Sequence, residues 1–71
     1  MTEEFSLDGT EFITLNNLLK VEGWVESGAV AKQVIDAGMV SVDGAIETRK
    51  RCKLTPGREV AFNGNTIVVV E

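Results

Sequence analysis

The chain has 71 residues, 44% of them hydrophobic and 25% charged, with a net charge of −4. This makes one small domain with a thin core and excludes a disordered tail. No apolar run approaches the roughly 20 residues that span a bilayer, and the acidic start Met1-Thr2-Glu3-Glu4 is unlike the positive opening of a signal peptide.

In chain order, Glu3-Glu4-Phe5-Ser6-Leu7 alternates polar and apolar residues and stops at Asp8-Gly9, as a short strand does. Thr14 suits a helix N-cap, because Leu15, Leu18, Leu19 and Glu22 recur at helical spacing and Gly23 stands where a helix ends. A first helix is expected from Leu15 to Glu22. After a short connection through Trp24 and Val25, Ser27 caps a second helix with an apolar stripe of Val30, Ala31, Val34 and Ile35, ended by Gly38. Its other face carries Gly28, Lys32, Gln33 and Asp36.

Beyond Gly38 the period becomes two. Val40-Ser41-Val42, Asp43-Gly44 and Ala45-Ile46 read as a hairpin with a type I′ turn. Pro56-Gly57 suits the centre of a type II turn. Glu59 to Phe62, Asn63-Gly64 and Asn65 to Val70 read as a second hairpin. Ile67 to Val70 is apolar throughout, which predicts a central strand covered on both faces, with Phe5 and Leu7 pairing beside it. The class is α+β: a short N-terminal strand, two packed helices, then a small, mostly antiparallel sheet of two hairpins.

Charge is segregated along this chain. Five of the seven Lys and Arg residues lie between Glu47 and Arg58, while the segment before Lys32 has only Lys20 against six carboxylates. A basic patch on an otherwise repelling surface points to a phosphate backbone. Arg49, Lys50, Arg51 and Lys53 have the forked and point-charge donors that suit three or four phosphates, provided the loop is irregular enough to turn them one way. Ser27-Gly28 sets exposed backbone N–H groups at a positive helix end, and Lys32 follows one turn later. Lys20, among carboxylates, is a weaker candidate.

Each feature also has a plainer reading. The basic loop serves solubility, Ser27-Gly28 is an ordinary cap, and Trp24 closes the core instead of stacking on a base. The early carboxylates form a solvated face with no shifted pKa. With no Tyr, and with Phe5, Phe12 and Phe62 scattered, an aromatic base-stacking platform is not expected. Cys52 is the only cysteine, so it has no disulfide partner within the chain. Its basic neighbours would lower the thiol pKa if exposed, whereas a small, partly buried loop side chain would be inert. Histidine is absent, as are GxGxxG, GxxxxGK followed by Ser or Thr, and GxSxG. No catalytic residue, cofactor or metal site is therefore expected.

From Phe12 to Phe62 the chain resembles the ribosomal protein S-four-like RNA-binding domain, also called the alpha-L motif. The matching residues are Leu15, Leu18-Leu19-Lys20, Gly23, Val25, Ser27, Ala31-Lys32, Ile35, Gly38, Val40-Ser41-Val42, Asp43-Gly44 and Pro56-Gly57. Within the family it is most similar to small stand-alone bacterial members, with Ser27-Gly28 and Glu47-Thr48-Arg49-Lys50 in place of their serine-glycine and Glu-Thr-Arg-Arg stretches. The resemblance implies a single non-enzymatic domain over residues 1–71, with a family-like core at 12–62. It implies an L-shaped surface docking on structured RNA, ribosomal or transfer, in the bacterial cytoplasm. Ser27 and Lys32 fall on the family's helix-two face and Arg49 in its basic loop.

The chain also departs from the family pattern. Gly28 replaces a common arginine, Lys50-Arg51 a common proline-serine, Asp43 an asparagine, and Arg58 an aspartate that would have lowered the loop's charge. The expected protein is monomeric, possesses no membrane segment, and holds RNA through Ser27, Gly28, Lys32, Arg49, Lys50, Arg51 and Lys53. The alternative is a protein-interaction module that docks an acidic partner, on the ribosome or elsewhere.

Overall fold

The computed structural model describes residues 2–71. Strand β1 (Thr2–Ser6) leads to β2 (Ile13–Thr14), helix α1 (Leu15–Val21) and helix α2 (Gly28–Asp36). The chain continues through β3 (Val40–Val42), β4 (Ala45–Ile46), β5 (Lys53–Leu54), β6 (Glu59–Phe62) and β7 (Asn65–Val70). The α+β class holds, with a five-stranded sheet in the order β1-β7-β6-β3-β4 and a separate two-stranded pair, β2-β5.

Local chemistry accounts for most boundaries. Both helices end in the same motif. In α1, Gly23 at φ +73° donates its N–H to Lys20 and Trp24 donates to Leu19. In α2, Gly38 donates to Ile35 and Met39 to Val34. These paired bonds satisfy carbonyls that a helix end would otherwise leave open. Asp43-Gly44 and Asn63-Gly64 both have φ positive at each residue, the type I′ geometry that matches strand twist. At Pro56-Gly57 the N–H of Arg58 reaches the Thr55 carbonyl at 3.2 Å with Gly57 at φ +97°, a type II turn.

The long pairing closes the sheet. β1 lies parallel to β7, with Glu3 opposite Ile67 and Phe5 opposite Val69, and Leu7 N–H extends the ladder to Val70 at 2.9 Å. The expected pairing of Phe5 and Leu7 beside the last strand is therefore present. The expected double coverage of that strand is not. Ile67 and Val69 are fully buried, whereas Val68 and Val70 are only half-buried. The helices cover one face of the sheet alone, so the apolar run of β7 exceeds what one buried face requires.

One core joins the layers. Leu15, Leu18 and Leu19 of α1 and Ala31 and Ile35 of α2 meet Val40, Val60, Ile67, Val69 and Leu54. Each such large side chain contributes about 1.5–3 kcal/mol when removed from water. Trp24 packs against this core, its ring centroid 6.4 Å from that of Phe62, so its packing reading is the correct one.

Candidate nucleic-acid interface

The position of the basic loop is decided by α1. Thr14 stands at the N-cap, but its side chain makes no capping bond, contrary to expectation. The first N–H groups of the helix instead donate to the loop backbone, Leu15 to Cys52 at 2.9 Å and Asn16 to Lys50 at 3.0 Å. A helix start leaves such donors unpaired, and here the loop supplies their acceptors. The β2-β5 ladder, Ile13 with Leu54 and Thr14 with Lys53, fixes the next two residues. Cys52 and Leu54 turn inward into the core.

The loop is thus anchored and only partly irregular, since Lys53 stands in a strand. The Cys52 N–H returns to the Arg49 carbonyl at 3.1 Å, which puts Lys50 and Arg51 at the two corners of a tight turn. Held this way, the loop faces helix α2. Lys32 and Asp36 from α2 line one open groove of about 790 Å³ with Thr48, Arg49, Lys50, Arg51, Cys52, Lys53 and Arg58. Six cations and one carboxylate therefore share a single concavity. Arg51 also borders a smaller hollow with Thr14, Asn16 and Asn17.

Of the seven residues singled out from the sequence, Lys32, Arg49, Lys50, Arg51 and Lys53 line this groove. Ser27 and Gly28 do not line it, and the Ser27 hydroxyl accepts the Val30 N–H at 3.3 Å as an ordinary cap. Lys20 lines neither concavity. The lining residues not singled out are Asp36, Thr48, Cys52 and Arg58. The four-residue spacing of Lys32 and Asp36 was the available signal for the first.

Two cations are already engaged. The Glu47 carboxylate accepts from Arg49 Nε at 2.9 Å, from Nη2 at 3.1 Å and from the Arg49 backbone N–H at 3.0 Å. These bonds hold the Glu47 carboxyl down to about 2. The Arg49 side chain is still 77% exposed, so its other donors face outward. Arg58 does not simply add charge to the loop, because its Nε lies 2.7 Å from Asp43 Oδ2. The two turn-level departures from the family pattern, Asp43 and Arg58, thus pair with each other. Asp43 Oδ1 also accepts the Glu59 N–H at 2.9 Å, which ties the two turns together.

Lys53 Nζ sits 5.0 Å from the centre of the Phe12 ring, a cation–π contact at the groove wall. Cys52 is buried, and burial, reinforced by the Glu47 carboxylate, pushes its thiol pKa up. The basic neighbours do not activate it. Glu22 also departs from the solvated-face expectation, since burial and then Glu3 raise its carboxyl pKa. Among the described residues, no three His, Cys, Asp or Glu side chains gather as metal ligands, and no helix is long and apolar enough to cross a membrane.

Comparison with known proteins agrees with this architecture. The S4 domain family matches residues 5–70, and the chain belongs to that family. The Escherichia coli K12 protein named "Putative RNA-binding protein YbcJ" is 54% identical over 66 residues, 93% of this chain and 94% of that protein. A Shigella flexneri protein, also YbcJ, matches to the same extent. The solution structure of YbcJ from E. coli, described as revealing an alfaL motif involved in RNA-binding, superposes with a TM-score of 0.73 at 53% identity, over 96% of this chain and 86% of that one.

Proposed function

From membership of the S4 domain family, we propose that this chain is a single-domain, non-enzymatic RNA-binding protein of the bacterial cytoplasm. It docks as a monomer on structured ribosomal or transfer RNA. The observation that carries this reading is the convergence of Lys32 from α2 with Arg49, Lys50, Arg51 and Lys53 from the loop in one groove. The E. coli YbcJ relative supports it by its name and by the description of its solution structure.

Mechanistically, Lys32, Lys50, Arg51 and Lys53 supply net attraction to phosphates. Arg49, held by Glu47, is a directional donor that adds little net charge. Pre-organising its fork lowers the entropy lost on binding. Ser27 and Gly28 lie outside this groove; the Gly28 N–H, at the start of α2, offers a further phosphate contact at the edge of the RNA footprint. Recognition rests on RNA shape and backbone more than on base sequence, and ribosome association follows if the RNA is ribosomal.

The test is binding to folded ribosomal RNA fragments and transfer RNA across a salt series, comparing the wild type with R49Q/K50Q/R51Q. The wild type binds in a salt-sensitive way, and the triple variant binds more weakly with a flatter salt dependence. Absence of wild-type binding, or an unaltered triple variant, refutes the assignment. RNA that fails to displace an acidic protein from the groove would favour the protein-docking role instead.

A further inference from the structure

The groove contains one residue that a phosphate site does not want. Asp36 lines it among six cations, and its carboxylate repels a phosphate backbone. It is also the last residue of α2, where the helix end is already negative, and the last turn has no basic residue. Lys32 lies one turn before it, the less favourable order for a helical ion pair. Among the described residues the only ion pairs are Arg49 with Glu47 and Arg58 with Asp43, so no cation within 4 Å offsets the Asp36 charge. No side-chain hydrogen bond reaches it either. An exposed carboxylate held in this position weakens both the helix end and the attraction to nucleic acid, unless a ligand offers it a donor.

RNA has such a donor beside every phosphate. The ribose 2′-hydroxyl donates as well as accepts, and DNA lacks it. We propose that Asp36 is a specificity-determining residue of the groove, accepting a hydrogen bond from a ribose 2′-hydroxyl while the surrounding cations hold the adjacent phosphates. The proposal rests on the RNA-binding reading above and adds discrimination between RNA and DNA to it. Cations alone bind either backbone. A carboxylate among them penalises both, and only RNA recovers the penalty through its hydroxyl.

The experiment measures affinity for a folded ribosomal RNA fragment and for the DNA of the same sequence, using wild type, Asp36→Ala, Asp36→Asn and Glu26→Ala. Glu26 is an exposed carboxylate that does not line the groove and serves as a charge control. A hydrogen bond to a charged group corresponds to about tenfold or more in affinity. Asp36→Ala is therefore expected to lower the RNA-to-DNA affinity ratio about tenfold, with DNA binding more tightly than before. Asp36→Asn, which keeps an acceptor, falls between the two, and Glu26→Ala leaves the ratio unchanged. An equal gain for RNA and DNA in Asp36→Ala overturns the proposal, because Asp36 would then act by charge alone. A changed base-sequence preference with an unchanged ratio overturns it too, by assigning the donor to a base. A wild type that binds no RNA defeats the functional reading itself, an outcome separate from either of these.

Discussion

The ion pairs in the groove predict how its cations divide the work. Lys32, Lys50, Arg51 and Lys53 have no carboxylate within 4 Å among the described residues, while Arg49 and Arg58 each have one. If the four unpaired cations each neutralise one phosphate, the log–log salt slope is about −3.6, at roughly 0.9 per contact on a duplex. Between 50 and 200 mM salt the wild type then loses about 150-fold in affinity. Lys50→Gln with Arg51→Gln removes two contacts, brings the slope to about −1.8, and reduces that loss to about 12-fold. Glu47→Gln with Arg49→Gln keeps the net charge, so it weakens binding through lost direction while the slope stays near that of the wild type. Fluorescence anisotropy of a labelled RNA fragment across a salt series reads all three slopes. Equal flattening of the slope by the Glu47/Arg49 and Lys50/Arg51 variants would refute this division of the cations. Arg49 would then be a net phosphate contact despite its carboxylate.

Three further outcomes follow from the same structure. The Glu47 carboxyl, depressed to about 2 from an ordinary 4.5, stabilises the fold fully above about pH 4.5 and loses that contribution as pH falls toward 2. Because Arg49 is exposed, solvent screens the pair and the effect is small; thermal melts of wild type and Glu47→Gln should differ slightly at pH 7 and converge as pH falls through 2. Ile67→Ala empties a fully buried site in β7 and should cost about 2–5 kcal/mol, enough to unfold much of so small a domain, as urea titration followed by circular dichroism would show. Cys52, buried and with its thiol pKa raised, should react with a thiol reagent at pH 8 far more slowly in the native protein than in urea; equal rates would mean the loop opens freely.

Periodicity and turn chemistry made most of the fold legible. Leu15, Leu18 and Leu19 at helical spacing, glycines at both helix ends, and Asp-Gly and Asn-Gly between alternating residues are local signals. Local hydrogen bonding and backbone preference turn them directly into local structure. The segregation of five cations into one stretch was equally visible, because charge is a property of the residues themselves. The two-residue ladder between Ile13-Thr14 and Lys53-Leu54 was not, since neither segment is long enough to show a period. Nor could Thr14 be denied its capping role from sequence, when the competing acceptors, the carbonyls of Lys50 and Cys52, lie more than thirty positions away.

The sequence by itself therefore determined most of the elements, most of the apolar faces and the sign of the charge gathered in the loop. Tertiary structure alone decided which cations act together. Backbone bonds from the start of α1 hold the loop against α2. That packing brings Lys32 and Asp36 to the loop's side chains, leaves Ser27 and Gly28 outside the groove, and sets Glu47 on Arg49 and Asp43 on Arg58. The physical reason is range. Propensity acts over a few residues, whereas the field in a groove depends on every charge within several ångströms, whatever its place in the chain.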